Sequence, residues 1–326
     1  MAFEEEFQYE FKKNLSTLCG GGFNAEDKDG TFKEAKFARP LRLALDNENQ
    51  KLYVLEADAY KCIREVDLIN EKVSTPWRAP GLHNLRTISF GTTCDTLFVG
   101  VEGSSSNVST VFLLRSDGFV RHKTYAPRSG SNASILNPVD GELFINDYYK
   151  GMVLRWDRDK QEMVELVQCF NNNTDFTYCW SHDGKYLYAL ALGGASHSAI
   201  VRMEYDFATK TLGEPNTWVG MDGQLGYQDG VGEDARINQP YQMCTGPQGD
   251  FFLADTWNHC IRRIVDNAGT ATVTTYAGIG GQLGFTEGDP LEAQLQFPTG
   301  VAVSDDGSTV YVADKENNRI CKITVE

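Results

Sequence analysis

Three stretches of this 326-residue chain carry the same punctuation at the same spacing. Asp29-Gly30 is followed by Ala35, Phe37 and Pro40; Asp229-Gly230 by Ala235, Ile237 and Pro240; Glu287-Gly288 by Ala293, Leu295 and Pro298. Each reads acid-Gly-x4-Ala-x-apolar-x-x-Pro and leads into an apolar run, a turn and a second apolar run. Such self-similarity means that one supersecondary unit has been copied, which constrains the architecture before any single residue is weighed.

The unit is clearest at the C-terminus. Residues 300–303 read as a short strand, Asp305, Asp306 and Gly307 as a turn, 309–313 as a second strand and 319–323 as a third with period-two alternation. Sliding it back along the chain predicts five more copies, most continuing into an outer strand such as 272–278. The last copy lacks its outer strand, and 14–20, of the same type, is predicted to supply it. The expectation is an all-β, six-bladed β-propeller of four-stranded antiparallel blades, with the N-terminal strand completing the last one. Short helical fragments are expected only inside the acid-Gly loops, at 32–37 and 233–237. Residues 14–326 read as one domain, and 1–13 as a leader or the tail of a preceding domain.

Composition removes several function classes. The formal net charge is −15 and the isoelectric point about 4.8, with no basic run, which argues against nucleic acid and anionic membrane surfaces as partners. No apolar stretch of about 20 residues exists to span a bilayer, and the acidic start at Glu4, Glu5 and Glu6 is not a signal peptide. The eight cysteines contain no C-x-x-C pair and fall mostly at strand positions, so they read as buried free thiols. There is no Gly-x-Ser-x-Gly and no phosphate loop.

The segment Ala254-Asp255-Thr256-Trp257-Asn258-His259-Cys260-Ile261-Arg262, preceded by Asp229-Gly230 and Pro240, resembles an NHL repeat, with Cys260 in place of the usual Leu. Residues 313–320 resemble a second. Copies two to four depart from the pattern, and of the central acid they keep only Asp147, after Asn146. The whole chain is similar to Bacteroides-type exported proteins in which an IPT/TIG domain precedes an NHL propeller. That likeness implies an exported protein of the periplasm or cell surface of a Gram-negative bacterium.

In a propeller the loops from second to third strand surround the central channel, the default ligand site. Here they offer Tyr60, Asn107, Tyr148, Tyr149, His197, Trp257 and Asn317, a set of rings and amides suited to a glycan or a protein ligand. The acids of Ala254-Asp255 and Ala313-Asp314 recur, as do Asp29, Asp229 and Glu287, and recurrence points to loop capping rather than catalysis. The leading expectation is a non-catalytic binding propeller, with specificity in the divergent copies two to four. The alternative is a metal-dependent hydrolase or lyase with its site in the central channel. His83, His197 and His259 could face that channel and hold zinc; calcium bound by oxygens, as in lactonase-type propellers, is the other metal to consider.

Overall fold

The computed structural model describes residues 13–22, 24–57, 60–79, 85–91, 95–101, 110–116, 118–125, 133–192 and 198–325. The strands among them form six antiparallel sheets. Five are each built from strands consecutive in the chain, and the sixth is a composite of the two ends. In that composite the order is Lys13–Gly20, Arg319–Val325, Thr309–Asp314, Pro298–Val303, with Leu15 opposite Ile323 and Thr17 opposite Cys321.

The innermost strands are Pro40–Asp46, Leu85–Phe90, Ser134–Leu136, Asp175–Trp180, Met243–Thr245 and Pro298–Val303. Each packs on the next, and the last on the first, so the sheets stand in a ring. An apolar cluster fills each junction. Tyr53, Ile88 and Leu97 join the first two sheets, and Leu15, Val312 and Ile261 join the last two. The second strands are buried on both faces: six of seven residues in Tyr186–Leu192 are buried. Outer strands such as Lys72–Arg78 are mostly exposed or half-buried.

The expected six uniform four-stranded blades are corrected. Only three sheets are four-stranded; the other three carry a fifth strand. In two of them the extra strand is the acid-Gly loop itself. Gly30–Thr31 pairs with Lys72–Arg78, and Gly230–Val231 with Thr270–Ala277. Gly288 makes the matching bridge to Leu15. In the fourth sheet, Thr211–Leu212 and Asn216–Gly220 both pair with Ala199–Asp206. The expected helical fragments shrink to a single 3-10 turn at Gly232–Asp234; 32–37 forms only a turn. Two further 3-10 turns, Thr256–Asn258 and Lys315–Asn317, sit in second-to-third-strand loops. No helix among the described residues is long and apolar enough to cross a membrane.

Candidate functional site

The recurring acids are consumed in building the ring. In each of three sheets a fully buried arginine lies between a buried acid and a half-exposed one. Arg262 donates from Nη1 to Asp255 Oδ2 (2.9 Å) and to the Arg236 carbonyl, and from Nη2 to Asp229 Oδ1 (2.6 Å) and to the Gln228 carbonyl. Arg64 repeats this with Glu56 (3.1 Å) and Asp29 (3.0 Å), and Arg319 with Asp314 (2.7 Å) and Glu287 (3.4 Å). The half-exposed acid in turn accepts from the backbone and hydroxyl of an outer-strand threonine: Thr75 for Asp29, Thr275 for Asp229, Thr17 for Glu287. A strut thus runs from the loop through the arginine to the rim.

The buried acid also caps the chain entering its sheet. Asn238 N donates to Asp255 Oδ1 (2.7 Å), Gln296 N to Asp314 Oδ1 (2.6 Å) and Ala38 N to Glu56 Oε1. In the third sheet the equivalent role falls to Asn146, whose Oδ1 accepts from Ala133 N (2.8 Å). Asp147, which the sequence suggested for this place, accepts instead from Lys150 N in its own turn. Burial pushes the carboxyl of Asp255 up to about 6 against the lowering pull of Arg262, and raises Asp314 and Glu56 likewise.

A second device links neighbouring sheets. His259 and Asn318 end their 3-10 turns in the left-handed conformation, at φ 55° and 52°. His259 Nδ1 accepts from Phe297 N (3.2 Å), and Asn318 Oδ1 from Arg39 N (3.0 Å). Phe297 and Arg39 precede Pro298 and Pro40 and are themselves at positive φ, a conformation costly for residues with side chains. Burial lowers the His259 pKa, which suits an acceptor nitrogen. This nitrogen is therefore not free for zinc. His83 and His197, the other two proposed zinc ligands, lie outside the described residues, as does Asn107.

Of the proposed ligand residues that are described, Tyr60, Tyr149 and Trp257 are exposed and Tyr148 is half-buried. They occupy loops at one end of their sheets. Tyr148 and Tyr149 meet edge to face at 5.3 Å, and Trp257 stands edge-on to Phe297 at 5.2 Å. Asn317 is buried, its amide donating to Asp314 and to the Gly284 carbonyl. Asn258 makes the same pair of bonds with Asp255 and Gly226.

The donor atoms of Asp27, Glu56 and Cys62 lie within 4.8 Å of one another, a spacing a metal could bridge. Arg64 already occupies this cluster, with Nη1 at 3.1 Å from both carboxylates, and Arg78 pairs with Asp27 from the other side. The guanidinium supplies the positive charge a cation would bring. The seven described cysteines are all free, and burial raises the thiols of Cys19, Cys62, Cys260 and Cys321.

All six innermost strands line one central channel of about 570 Å³, within the range of small-molecule sites. Its wall carries Arg42, Thr87, Ser89, Ser134, Thr177 and Trp180 among others. Gln242, entering the fifth sheet, reaches the first by bonding both the N–H and the carbonyl of Leu43, 199 residues away.

Comparison with known proteins agrees with this architecture. Residues 295–323 match the NHL repeat family model. The fold resembles an auxiliary nutrient binding protein of Bacteroides thetaiotaomicron VPI-5482, with 29% identity and a TM-score of 0.86 over 99% of this chain and 79% of that one. A protein described in the same words from Bacteroides ovatus ATCC 8483 gives 23% identity and a TM-score of 0.86, covering 97% and 78% of the two chains. By sequence the chain is 26% identical to human NHL repeat-containing protein 2, over 94% of this chain and 42% of that protein. It is 24% identical to SUPPRESSOR OF QUENCHING 1 of Arabidopsis thaliana, over 90% and 26%. The chain thus spans less than half the length of these curated relatives. The ring of sheets makes the chain a β-propeller in fold, and within it residues 295–323 match the NHL repeat.

Proposed function

We propose that this chain is a non-catalytic binding propeller of an exported bacterial protein, taking a glycan or a protein ligand on its loop face. The observation that carries this reading is the fate of the recurring polar residues. Asp255, Asp314, Glu56, Asn258 and Asn317 are all buried and bonded inside the loops. What those loops leave in solvent, among the described residues, is mostly aromatic: Tyr60, Tyr149 and Trp257, with Lys150 beside them. Rings presented on rigid short loops suit stacking against sugar faces or peptide side chains. The resemblance to proteins described as auxiliary nutrient binding proteins supports binding over catalysis, and their Bacteroides origin supports export to the periplasm or cell surface. An IPT/TIG domain ahead of residue 13 would fit the same reading.

A glycan array probed with the protein and with Tyr149→Ala and Trp257→Ala variants tests it. Binding that falls in both variants supports the aromatic platform. Unchanged binding in both, or stoichiometric zinc or calcium bound by channel residues of the purified protein, would overturn it.

A further inference from the structure

One arginine breaks the pattern of the buried arginines. Arg262 and Arg319 each face two acids, Arg64 faces three, and Arg155 faces Glu142 at 2.8 Å. Arg42 is as deeply placed, with 2% of its surface exposed, yet no acid pairs with it among the described residues. Its Nε donates to the Arg86 carbonyl (3.1 Å), its guanidinium lies 4.9 Å from the centre of the Tyr241 ring, and its Nη1 is buried without an acceptor. A buried cation left short of acceptors is costly. Burial already draws its pKa down to about 10.

Two further orphaned atoms lie in the same channel. The hydroxyls of Ser89 and Ser134 are also buried without a partner, and both residues line the central channel together with Arg42. Arg42 and Ser134 flank the same innermost strand at adjacent positions. Arg42 bonds the carbonyl of Arg86, while Ser134 N donates to Thr87 Oγ1 (3.4 Å). The channel therefore holds a guanidinium with no acid bonded to it beside unused hydroxyl donors, a composition that asks for an acceptor-rich anion.

We infer that the central channel is a binding site for one small hydroxylated monocarboxylate, an acidic sugar being the fitting class, with the carboxylate received by Arg42 and the Ser134 hydroxyl. Asp175 and Arg86 act electrostatically on Arg42 in opposite senses, which leaves one guanidinium charge for a monoanion to meet. Guanidinium matches a carboxylate in geometry as well as charge. The remaining hydroxyls of the wall suit the ring oxygens of a sugar, and the volume admits one. This site does not depend on the loop-face aromatics, so either reading can fail without the other.

Isothermal titration of the full chain with D-glucuronate, D-glucose and inorganic phosphate tests the inference. The expected result is 1:1 binding of glucuronate, no measurable heat with glucose, and weaker or absent binding of phosphate. Arg42→Gln should weaken glucuronate binding at least about tenfold, as loss of a charge-assisted pair predicts. Ser134→Ala, which keeps the charge, should weaken it about two- to fivefold and decides the matter if Arg42→Gln does not fold. Ile69→Ala, in an exposed turn away from the channel, should leave it unchanged. Failure to bind glucuronate, equal binding of glucose, a preference for phosphate, or full affinity in folded Arg42→Gln or in Ser134→Ala would overturn the inference.

Discussion

Replacing Arg262 with methionine should destabilise the protein far more than replacing its rim partner Asp229 with asparagine, although both changes cut the same strut. Arg262 and Asp255 are fully buried, whereas the Asp229 side chain is 48% exposed. Removing the arginine strands a buried carboxylate, a loss of about 3–5 kcal/mol. Removing the exposed acid costs about 1 kcal/mol or less, because water screens it. The two variants should also differ in pH dependence. Asp255 already has its pKa held up to about 6 in the folded protein, against about 3.9 unfolded. An acid with a raised folded pKa binds more protons folded than unfolded between those two values, so its contribution to stability grows as pH falls. Without Arg262, which pulls the value down, this window extends upward. The deficit of Arg262→Met relative to wild type should therefore shrink between pH 7.5 and pH 5.0, while that of Asp229→Asn should not. Urea unfolding of the three proteins at both pH values measures this. Equal losses in the two variants, or an Arg262→Met deficit that is constant or larger at pH 5.0, would refute the strut as drawn.

Three further outcomes are expected. Protonating His259 removes the acceptor of Phe297 N. Because its folded pKa lies below the unfolded value near 6.5, the stability it supplies is present above that value and is lost as pH falls toward the folded pKa. Thermal melts from pH 7.5 to 5.0 should show a smaller fall for His259→Asn, which copies Asn318, than for wild type; identical slopes would count against the latch. Gly278 sits at φ +93°, where an added Cβ would lie 2.6 Å from the His259 carbonyl oxygen; Gly278→Ala should cost about 1–3 kcal/mol in denaturant unfolding. In a Cys94→Ser background, Ellman's reagent should leave Cys19, Cys62, Cys260 and Cys321 unlabelled until denaturant is added, since all four thiols are buried. Rapid native labelling of any of them would show that the burial is wrong.

The ring was legible because its signals are local: strand periodicity, turn residues and the spacing of acid, glycine and proline all fall within one copy. The fifth strands were not. Gly30–Thr31 and Gly230–Val231 are two residues long, too short to show any period, and their pairing depends on an outer strand more than 40 residues away. The struts were half visible. The acids recur at even spacing, but their arginines do not, lying eight, seven and five residues after Glu56, Asp255 and Asp314. That drift hides a common role that only the folded loop restores. In the sequence Asp147 carries the charge that the other copies keep, whereas the position needs only a carbonyl-like acceptor, which Asn146 supplies. The solitary state of Arg42 could not be read at all, since it depends on which strands surround the channel.

Lys13 lies opposite Val325 in the composite sheet, and this sets the order in which the protein can be completed. Thr17 must wait 302 residues for Arg319, ~15–60 s at ordinary rates of translation. Until then the first strand of that sheet has no partner, and the two flanking junctions stay open. The same arrangement brings both ends of the described chain out side by side, so tension between attached domains would peel the first strand from the last one bond at a time rather than shear it.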